Sequence, residues 1–511
     1  MTQQSPVDST GIRLGKARTC VADIAAIAAG AQVLLDPPAL DGMRQTHERV
    51  LLMMERKQAI YGLTTGVGDL YTQTLSSAEM ACAQLNMLKS HACGVGKPYT
   101  PAEVRAIMAT LIKSLLQGAS GVSTSLVETM AAMLNAGVVP YAPSGGSVGY
   151  LIATAHIGLV IFGEGQAWYG GELLPGREAM RRAGIDVREP GLREGHALLS
   201  GTYEITGIGA LAVHRTAQLI ETADVAGAMS LEGLRGNSRG YDERLQLLRP
   251  HPGQVETARR LREMLAGSEI LEFNQHHRLQ DALSLRCIPQ VHGAVRDALE
   301  YCRNVLDIEI NSVTDNPVFV DEGEHLAALP GGNGHGAPTA LALDFLAIAI
   351  AHLSTMSQAR SDRLTNEHIS GLPPFLVAQS GANSGLMIPP YVAAARAGEN
   401  RALAAPASVH TVSTCASQED HISMGVTAAQ KAMTAIDNAL DILSVELLCA
   451  AQALEFHRPL RAGNGTGAVY DAIRQRVRVL ESDRELHHDL RAVRDLIQSG
   501  VLAQAVDRAG S

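Results

Sequence analysis

The sequence is poor in aromatic residues and in cysteine. Tyr, Phe and Trp make up 4% of the 511 positions, and Trp168 is the single tryptophan. Aliphatic side chains must therefore fill most of any core. The seven cysteines are odd in number, widely spaced and contain no CxxC pair. This pattern excludes a disulfide framework as the basis of the fold, and it predicts reduced thiols in a cytoplasmic protein.

Several other features that would indicate a partner are missing. The formal net charge is -10, the pI is near 6.0, and the basic residues are scattered, so we expect no nucleic-acid partner. The longest uncharged stretch, 136–162, is interrupted by glycines and prolines, so we expect no membrane span. No apolar core follows the first four residues, which argues against a secretory signal. The histidines show neither HExxH nor Cys/His zinc spacing, so we expect no metal.

Long helices are the clearest positive signal. Apolar residues recur at three- and four-residue steps, with abundant Ala, Leu and Met, in segments 102–116, 210–234, 291–306, 340–356 and 427–456. The pattern predicts a mainly α protein built as a long-helix bundle. Glycine-rich segments at 62–68, 144–149, 331–336 and 462–467 separate the helices and are places where backbone can approach a ligand. We expect an N-terminal domain 1–200, a central bundle 201–460 and a C-terminal helical tail 461–511.

Short motifs follow one another along nearly the whole chain. They are Tyr-Gly-Leu-Thr-Thr-Gly from residue 61, Ser-His-Ala-Cys-Gly from 90, Ser-Leu-Arg-Cys from 284, Thr-Asp-Asn-Pro from 314, Gly-Gly-Asn-Gly-His-Gly from 331 and Gln-Glu-Asp-His from 418. Their order and spacing resemble the histidine and aromatic amino-acid ammonia-lyase family. The resemblance implies the fumarase/aspartase-like long-helix fold and a homotetramer whose active sites each draw residues from three subunits.

The resemblance also implies catalytic residues. Tyr61 matches the base that removes a proton from Cβ of the substrate, and its phenol pKa of about 10 must be lowered for it to act near neutrality. Arg286 matches the residue that grips the substrate carboxylate, which a guanidinium can do through two parallel hydrogen bonds. Asn316 matches its polar companion. Glu419 matches a carboxylate placed close to the substrate.

Substrate choice is implied by a second group of residues. The pair Ser90-His91 resembles the histidine branch of the family and points to an imidazole ring. Gln280 also occupies a position that resembles the histidine enzymes. Lys89 precedes this pair where the relatives carry an apolar residue. It could bind a thiolate sulfur or another anion at the ring, or it could be a solvated surface lysine.

The chain departs from the family where the electrophile forms. In the family, an Ala-Ser-Gly tripeptide after Gly-Ser-Val-Gly cyclises into a methylidene-imidazolone, whereas here Gly149 is followed directly by Tyr150. Ser200, Leu283 and Gly334 stand where the family has asparagine, tyrosine and phenylalanine around that group. We therefore expect no methylidene-imidazolone and no other cofactor.

An elimination without this electrophile calls for a better leaving group than ammonia. A quaternary trimethylammonium has no lone pair to attack an electrophile and leaves as neutral trimethylamine. The sequence therefore predicts an enzyme of the ergothionase branch. It would act on an imidazole amino-acid betaine, ergothioneine, and release trimethylamine and thiourocanate.

Tyr150, Ser200, Tyr203 and Gly334 are expected to line that substrate site. Tyr150 and Tyr203 could present aromatic faces to the methylated cation, with roughly 0.5–2 kcal/mol from each cation-π contact. They could equally fill the volume left by the missing tripeptide.

Other interpretations stay open. The betaine could be hercynine instead of ergothioneine. The chain could be a histidine ammonia-lyase, forming urocanate and ammonia, if its tripeptide is hidden from the printed sequence; the protein would then be heavier than that sequence. It could also be a catalytically inactive scaffold, although Tyr61, Arg286, Asn316 and Glu419 are all retained.

Overall fold

A computed structural model of the chain describes residues 11–55 and 60–510. Its internal contacts divide the chain into two compact units. The first unit takes the described part of Met1–His214 together with Cys302–Leu343 and Pro406–Gln430. The second takes Arg215–Tyr301, Asp344–Ala405 and the described part of Lys431–Ser511. The prediction of a mainly helical protein is confirmed, whereas the division at residues 200 and 460 stays a prediction.

Helices dominate both units. In the first half of the chain they are α1 Val21–Ala28, α2 Pro37–Glu55, α3 Ser77–His91, α4 Pro101–Leu115, α5 Thr124–Ala136, α6 Ile152–Ile161, α7 Gly176–Arg182, α8 Glu194–Leu199, α9 Tyr203–Gly233 and α10 Glu243–Leu247. The remaining helices are α11 Pro252–Met264, α12 Glu269–Phe273, α13 Leu283–Arg286, α14 Ile288–Ile310, α15 Ala337–Thr365, α16 Glu367–Ser370, α17 Pro389–Leu403, α18 Gly425–Glu455, α19 Asn464–Arg474, α20 Leu486–Gln498 and α21 Val501–Ala509. Short 3-10 turns lie at Gly68–Thr72, Ser238–Tyr241, Pro374–Leu376 and Cys415–Ser417.

All five predicted long helices are present, as α4, α9, α14, α15 and α18. Helix α4 shows why one of them begins where it does. The Thr100 side chain accepts from the backbone N–H of Glu103, the Glu103 carboxylate binds back to Thr100, and Pro101 occupies the first helical turn. Helix α9 starts seven residues before the predicted segment at 210, because two glycines and several β-branched residues in 203–209 hid the periodicity.

Strands are short and pair locally. They are β1 Ile12–Leu14, β2 Val33–Leu35, β3 Val95–Pro98, β4 Val139–Pro140, β5 Pro143–Gly145, β6 Gln166–Tyr169, β7 Glu172–Pro175, β8 Val318–Asp321 and β9 Leu326–Leu329. β1 and β2 are parallel, with Ile12 opposite Val33. The pairs β3–β5, β4–β6, β6–β7 and β8–β9 are antiparallel.

In the first unit, α3 packs against α6 and α8, and small residues allow the close approach. A Cβ on Gly195 of α8 would lie 2.2 Å from the carbonyl oxygen of Gln84 in α3. A Cβ on Gly158 of α6 would lie 2.9 Å from the side chain of Leu88. This packing fixes the end of α3, which carries Ser90 and His91, relative to α8.

The parts of α9, α14, α15 and α18 that belong to the second unit share a buried polar core. Arg360 pairs with Glu446 at 2.6 Å, and His292 Nδ1 lies 2.8 Å from Asp224 Oδ1. All four side chains are fully buried.

Within the described ranges one helix, α15, is long and apolar enough to cross a membrane. Two-thirds of its most apolar window (67%) is buried inside the protein, as in the core helix of a folded domain. The seven cysteines are all free thiols.

Candidate active site

Tyr61 lies in the loop between α2 and α3. Its phenol oxygen accepts a hydrogen bond of 2.8 Å from the backbone N–H of Gly68. Burial raises the pKa of Tyr61 and nearby Glu419 adds to the effect, while the Gly68 hydrogen bond acts in the opposite sense. In the described chain the phenol is therefore harder to ionise than free tyrosine, opposite to the lowering that base catalysis near neutrality calls for.

Glu419 closes a tight turn with Thr414. The backbone N–H of Thr414 donates to the Glu419 carbonyl at 2.9 Å, and the Thr414 hydroxyl donates to Glu419 Oε2 at 3.2 Å. Between them, Cys415, Ala416 and Ser417 have φ values of 51°, 52° and 69°. Such left-handed conformations cost energy in residues other than glycine and persist where surrounding contacts enforce them.

This turn touches the loop of Tyr61. A Cβ on Gly68 would lie only 2.6 Å from the Sγ of Cys415. Cys415 therefore packs directly on the residue whose N–H binds the phenol. The turn that Glu419 closes therefore contacts the loop that carries Tyr61.

Tyr150 lies in the same neighbourhood. Burial raises its pKa to about 12, and the negative charges of Glu419 and Tyr61 add to the effect. Gly334 borders its ring, since a Cβ on that glycine would lie 3.6 Å from the Tyr150 Cζ. Two phenols and one carboxylate thus share one site in the first unit.

Ser200 and Asn316 are brought together as well. The Asn316 N–H donates to Ser200 Oγ at 3.1 Å, and Asn316 Oδ1 accepts from the N–H of Gly331 at 2.9 Å. Tyr203 donates its hydroxyl to the Ser200 carbonyl at 2.9 Å, and only 2% of this residue is exposed. This burial favours the volume-filling alternative for Tyr203 over an aromatic face presented to a cation.

His91 ends α3 beside Ser90. Its Nδ1 lies 2.8 Å from the Met87 carbonyl oxygen and 3.1 Å from Ser90 Oγ. Because a carbonyl oxygen can only accept, Nδ1 carries the proton and Nε2 becomes an acceptor in the neutral ring. Lys89 instead pairs with Glu164 at 3.2 Å with about half of each side chain exposed, which corresponds to the surface-lysine alternative.

Arg286 and Gln280 lie in the second unit. With its amide oriented to satisfy its neighbours, Gln280 accepts hydrogen bonds of 3.1 Å from both Nε and Nη2 of Arg286. The structure therefore brings these two predicted residues together. Gln280 fixes the plane of the guanidinium, which is what a carboxylate grip requires.

His196, on α8, was not singled out by the sequence. Its ring meets the Tyr61 ring edge-on, with centroids 5.6 Å apart and an angle of 64° between the planes. The residue is 6% exposed, and burial, together with the Arg193 charge, lowers the pKa of His196 to about 3. The one available signal was a lone histidine directly before the apolar run Ala197-Leu198-Leu199.

A buried ion pair supports this region. Arg193 binds both carboxylate oxygens of Asp315, at 2.6 and 2.8 Å, and both side chains are fully buried. Arg193 also donates to the carbonyls of Ser120 and Pro317, at 2.7 and 2.9 Å. Since Asp315 precedes Asn316 and Arg193 precedes α8, the pair ties these two parts of the site together.

The junction that lacks the tripeptide has its own contacts. The Ser147 hydroxyl donates to the Tyr150 carbonyl at 3.2 Å, and Leu151 adopts φ 92° just before α6 begins. No alanine, serine and glycine stand between Gly149 and Tyr150. The residues present at this junction therefore do not contain the precursor of a methylidene-imidazolone. Across 11–55 and 60–510, no three His, Cys, Asp or Glu side chains cluster as metal ligands would.

The sequence and the structure both match known lyases. The profile of the family described as "Aromatic amino acid lyase" matches residues 20–475. A histidine ammonia-lyase of Caldanaerobacter subterraneus subsp. tengcongensis is 43% identical over 483 residues, which cover 94% of each chain. The crystal structure of histidine ammonia-lyase from Trypanosoma cruzi is 34% identical, with a TM-score of 0.91, and covers 97% of this chain and 95% of that one.

These relatives correct the predicted reaction. The crystal structure of ergothionase from Treponema denticola has a TM-score of 0.90 and covers 96% of this chain and 99% of its own, but it is only 27% identical. Full-length relatives named as histidine ammonia-lyases are 43% identical. The prediction of an ergothioneine trimethylammonia-lyase is therefore wrong, because greater identity over the whole chain lies with the histidine enzymes.

The same relatives contradict the expectation that no cofactor is used. Histidine ammonia-lyases are the enzymes for which the family resemblance implies a methylidene-imidazolone, and they match this chain over nearly its full length. The direct junction of Gly149 and Tyr150, with the changes around it, was not sufficient ground for that inference.

Proposed function

The chain belongs to the aromatic amino acid lyase family, and we propose that it is a histidine ammonia-lyase. In the proposed reaction L-histidine loses ammonia and gives urocanate. The Cβ–H bond breaks, its electrons form the Cα=Cβ double bond, and the Cα–N bond breaks as ammonia leaves.

His91 carries the choice of an imidazole substrate. With Nδ1–H donating to the Met87 carbonyl, Nε2 is left as an acceptor. A substrate imidazole can donate its ring N–H to such an acceptor, whereas a phenyl ring has no N–H to donate. A site built to hydrogen-bond a substrate group discriminates strongly against analogues that lack it.

Tyr61 is the proposed base. As the phenolate, it takes the Cβ proton, and the Gly68 N–H that already binds its oxygen at 2.8 Å stabilises the negative charge. Glu419 provides negative charge beside it, suited to the substrate ammonium. Tyr150, with its pKa near 12, stays protonated and can donate a hydrogen bond in the same space.

Arg286 is proposed to grip the substrate carboxylate, with Gln280 holding the guanidinium in place. Asn316 is its proposed polar companion. Ser200 supports Asn316 through the 3.1 Å hydrogen bond to its backbone. Ser90 orients His91, and Gly334 leaves room beside Tyr150.

We further propose a cytoplasmic homotetramer that assembles this site from several subunits. Exposed apolar side chains in the segment before Arg286 support the assembly, since Leu279 is 94% exposed, Phe273 77% and Leu283 61%. Light scattering of the purified protein should give four times the 54.0 kDa chain mass. A monomer with full activity would contradict this part of the proposal.

The substrate proposal is tested by incubating the purified protein with L-histidine and measuring ammonia and urocanate. Urocanate formation that is lost in a Tyr61→Phe variant supports it, and no product from histidine contradicts it. An intact mass above that of the 511-residue sequence would show directly that the protein carries a group beyond the printed residues.

A further inference from the structure

His196 is a buried polar group without an obvious structural task. Its Nδ1 is buried and makes no hydrogen bond with any part of the chain that the structure describes. An imidazole nitrogen left without a partner in the interior lowers stability. Leucine or another apolar side chain would suit a purely structural position better.

The backbone of His196 is held on several sides. Its N–H donates to Gln84 Oε1 at 3.1 Å. Arg193, which precedes α8, has φ 63° and is locked by its two hydrogen bonds to Asp315. Glu194 accepts from the N–H of Gly191 at 2.7 Å and from Arg188 Nη1 at 2.7 Å. The imidazole is therefore presented from a rigid support.

The loop of Tyr61 is fitted to this ring. Gly62 has φ 64°, and a Cβ there would lie 2.3 Å from His196 Nδ1 and 2.5 Å from its Cε1. Any side chain at position 62 would displace the imidazole. The glycine thus lets the backbone next to Tyr61 rest directly on His196, while the Tyr61 ring takes the edge-on contact.

We propose that His196 is a positioning residue for Tyr61, and that its ring sets the direction in which the phenol oxygen points. The groups that act electrostatically on it are Arg193, Asp315 and His91, and burial keeps it neutral. Through this contact the phenol oxygen is kept where the Gly68 N–H reaches it. The inference rests on the proposed role of Tyr61 as the base.

The test combines kinetics with a measurement that needs no substrate. We would compare His196→Leu with His47→Leu, a matched control in the same unit whose Nδ1 binds the Gly121 carbonyl at 2.8 Å. We expect His196→Leu to lower kcat by on the order of 10- to 100-fold while KM changes less than about twofold, because a small misplacement of a reacting group has this effect. His47→Leu should leave both constants unchanged.

The second measurement is the Cζ resonance of Tyr61 in protein labelled with 13C-tyrosine, assigned with Tyr61→Phe. We expect it to shift in His196→Leu and to stay in place in His47→Leu. If His196→Leu does not fold, His196→Gln, which keeps a polar side chain but removes the ring, serves in its place.

A Tyr61 resonance that stays in place, with kcat unchanged, overturns the inference. If histidine is not a substrate of the unaltered protein, the proposed function fails. The resonance of Tyr61 then decides the positioning role by itself.

Discussion

The backbone N–H of Gly68 and the phenol oxygen of Tyr61 are joined by a hydrogen bond of 2.8 Å. This bond favours the ionised phenol, against the burial that raises the pKa of Tyr61. Gly68 has φ 58°, and the Cys415 sulfur occupies the space that its Cβ would need. A Cβ at this position would have to displace the Cys415 sulfur, so the donor to the proposed base is fixed by packing.

Replacing Gly68 with alanine should displace this donor. We expect kcat to fall at least about tenfold, since loss of one donor to a charged oxygen removes roughly 1.5–3 kcal/mol. The matched control is Gly137→Ala, at φ 78° with nothing within 4 Å of the added Cβ, which tests backbone strain alone. A Gly68→Ala enzyme as active as the Gly137→Ala enzyme would remove Gly68 from the mechanism.

Removing the phenol oxygen of Tyr61 should abolish most of the activity. We expect Tyr61→Phe to lower kcat by about 10²- to 10⁴-fold, the usual contribution of a positioned general base. Circular dichroism should show an unchanged helical fold. Tyr169→Phe, at the end of β6 in the β6–β7 hairpin, is the control and should behave like the unaltered protein. Equal losses in both variants would speak against a specific role for Tyr61.

The pH profile should depend on Glu419. Its negative charge raises the pKa of both Tyr61 and Tyr150, so Glu419→Gln should lower both pKa values. If the phenolate of Tyr61 is the active form, activity rises with pH, and this rising limb should move to lower pH in Glu419→Gln. The height of the profile is expected to drop as well, but its position is the diagnostic quantity. Glu164→Gln, which removes the partner of Lys89, should leave the limb in place.

The Arg193–Asp315 pair should contribute strongly to folding. Asp315→Asn leaves Arg193 buried without its counter-charge, and we expect the free energy of unfolding to fall by about 3–5 kcal/mol. Urea denaturation measures the change. Asp41→Asn breaks the exposed pair of Arg44 and Asp41 and should have a much smaller effect, because solvent screens that pair. Similar losses for both variants would contradict the structural role given to the buried pair.

Glu204 should make stability depend on pH. Burial raises its pKa to about 7, although the Tyr99 hydroxyl donates to its carboxyl group at 2.8 Å. The folded state therefore holds a proton between pH 4.5 and 7 that the unfolded state releases, so the contribution of Glu204 to stability falls as pH rises through this window. Glu204→Gln should remove this part of the slope in denaturation series at several pH values. An identical slope in both proteins would mean that Glu204 is ionised throughout.

The sequence predicted the long helices and the loops of the site, because helical periodicity and glycine-rich turns are local properties. Through the family resemblance it also predicted Ser200, Asn316, Gln280 and Arg286 as site residues, and the structure shows a contact of Ser200 with Asn316 and another of Gln280 with Arg286. The sequence did not predict the Gly68 donor, the contact of the His196 ring with Tyr61, or the Arg193–Asp315 pair. Arg193 and Asp315 are 122 positions apart, and nothing in either local sequence indicates its partner.

The two wrong predictions, of the leaving group and of the cofactor, have the same origin. The direct junction of Gly149 and Tyr150 and the changed residues Ser200 and Gly334 were taken to determine both the leaving group and the cofactor. Local losses at a junction constrain only the chemistry at that position. Identity of 43% with a histidine ammonia-lyase over 94% of the chain weighs against ergothioneine.

Product analysis with three separate substrates tests the proposed function most directly. The purified protein would be incubated with L-histidine, hercynine or ergothioneine, and ammonia, trimethylamine and the acrylate product would be measured. We predict ammonia and urocanate from L-histidine and no trimethylamine from either betaine. Trimethylamine from a betaine, with no ammonia from histidine, would contradict the proposal.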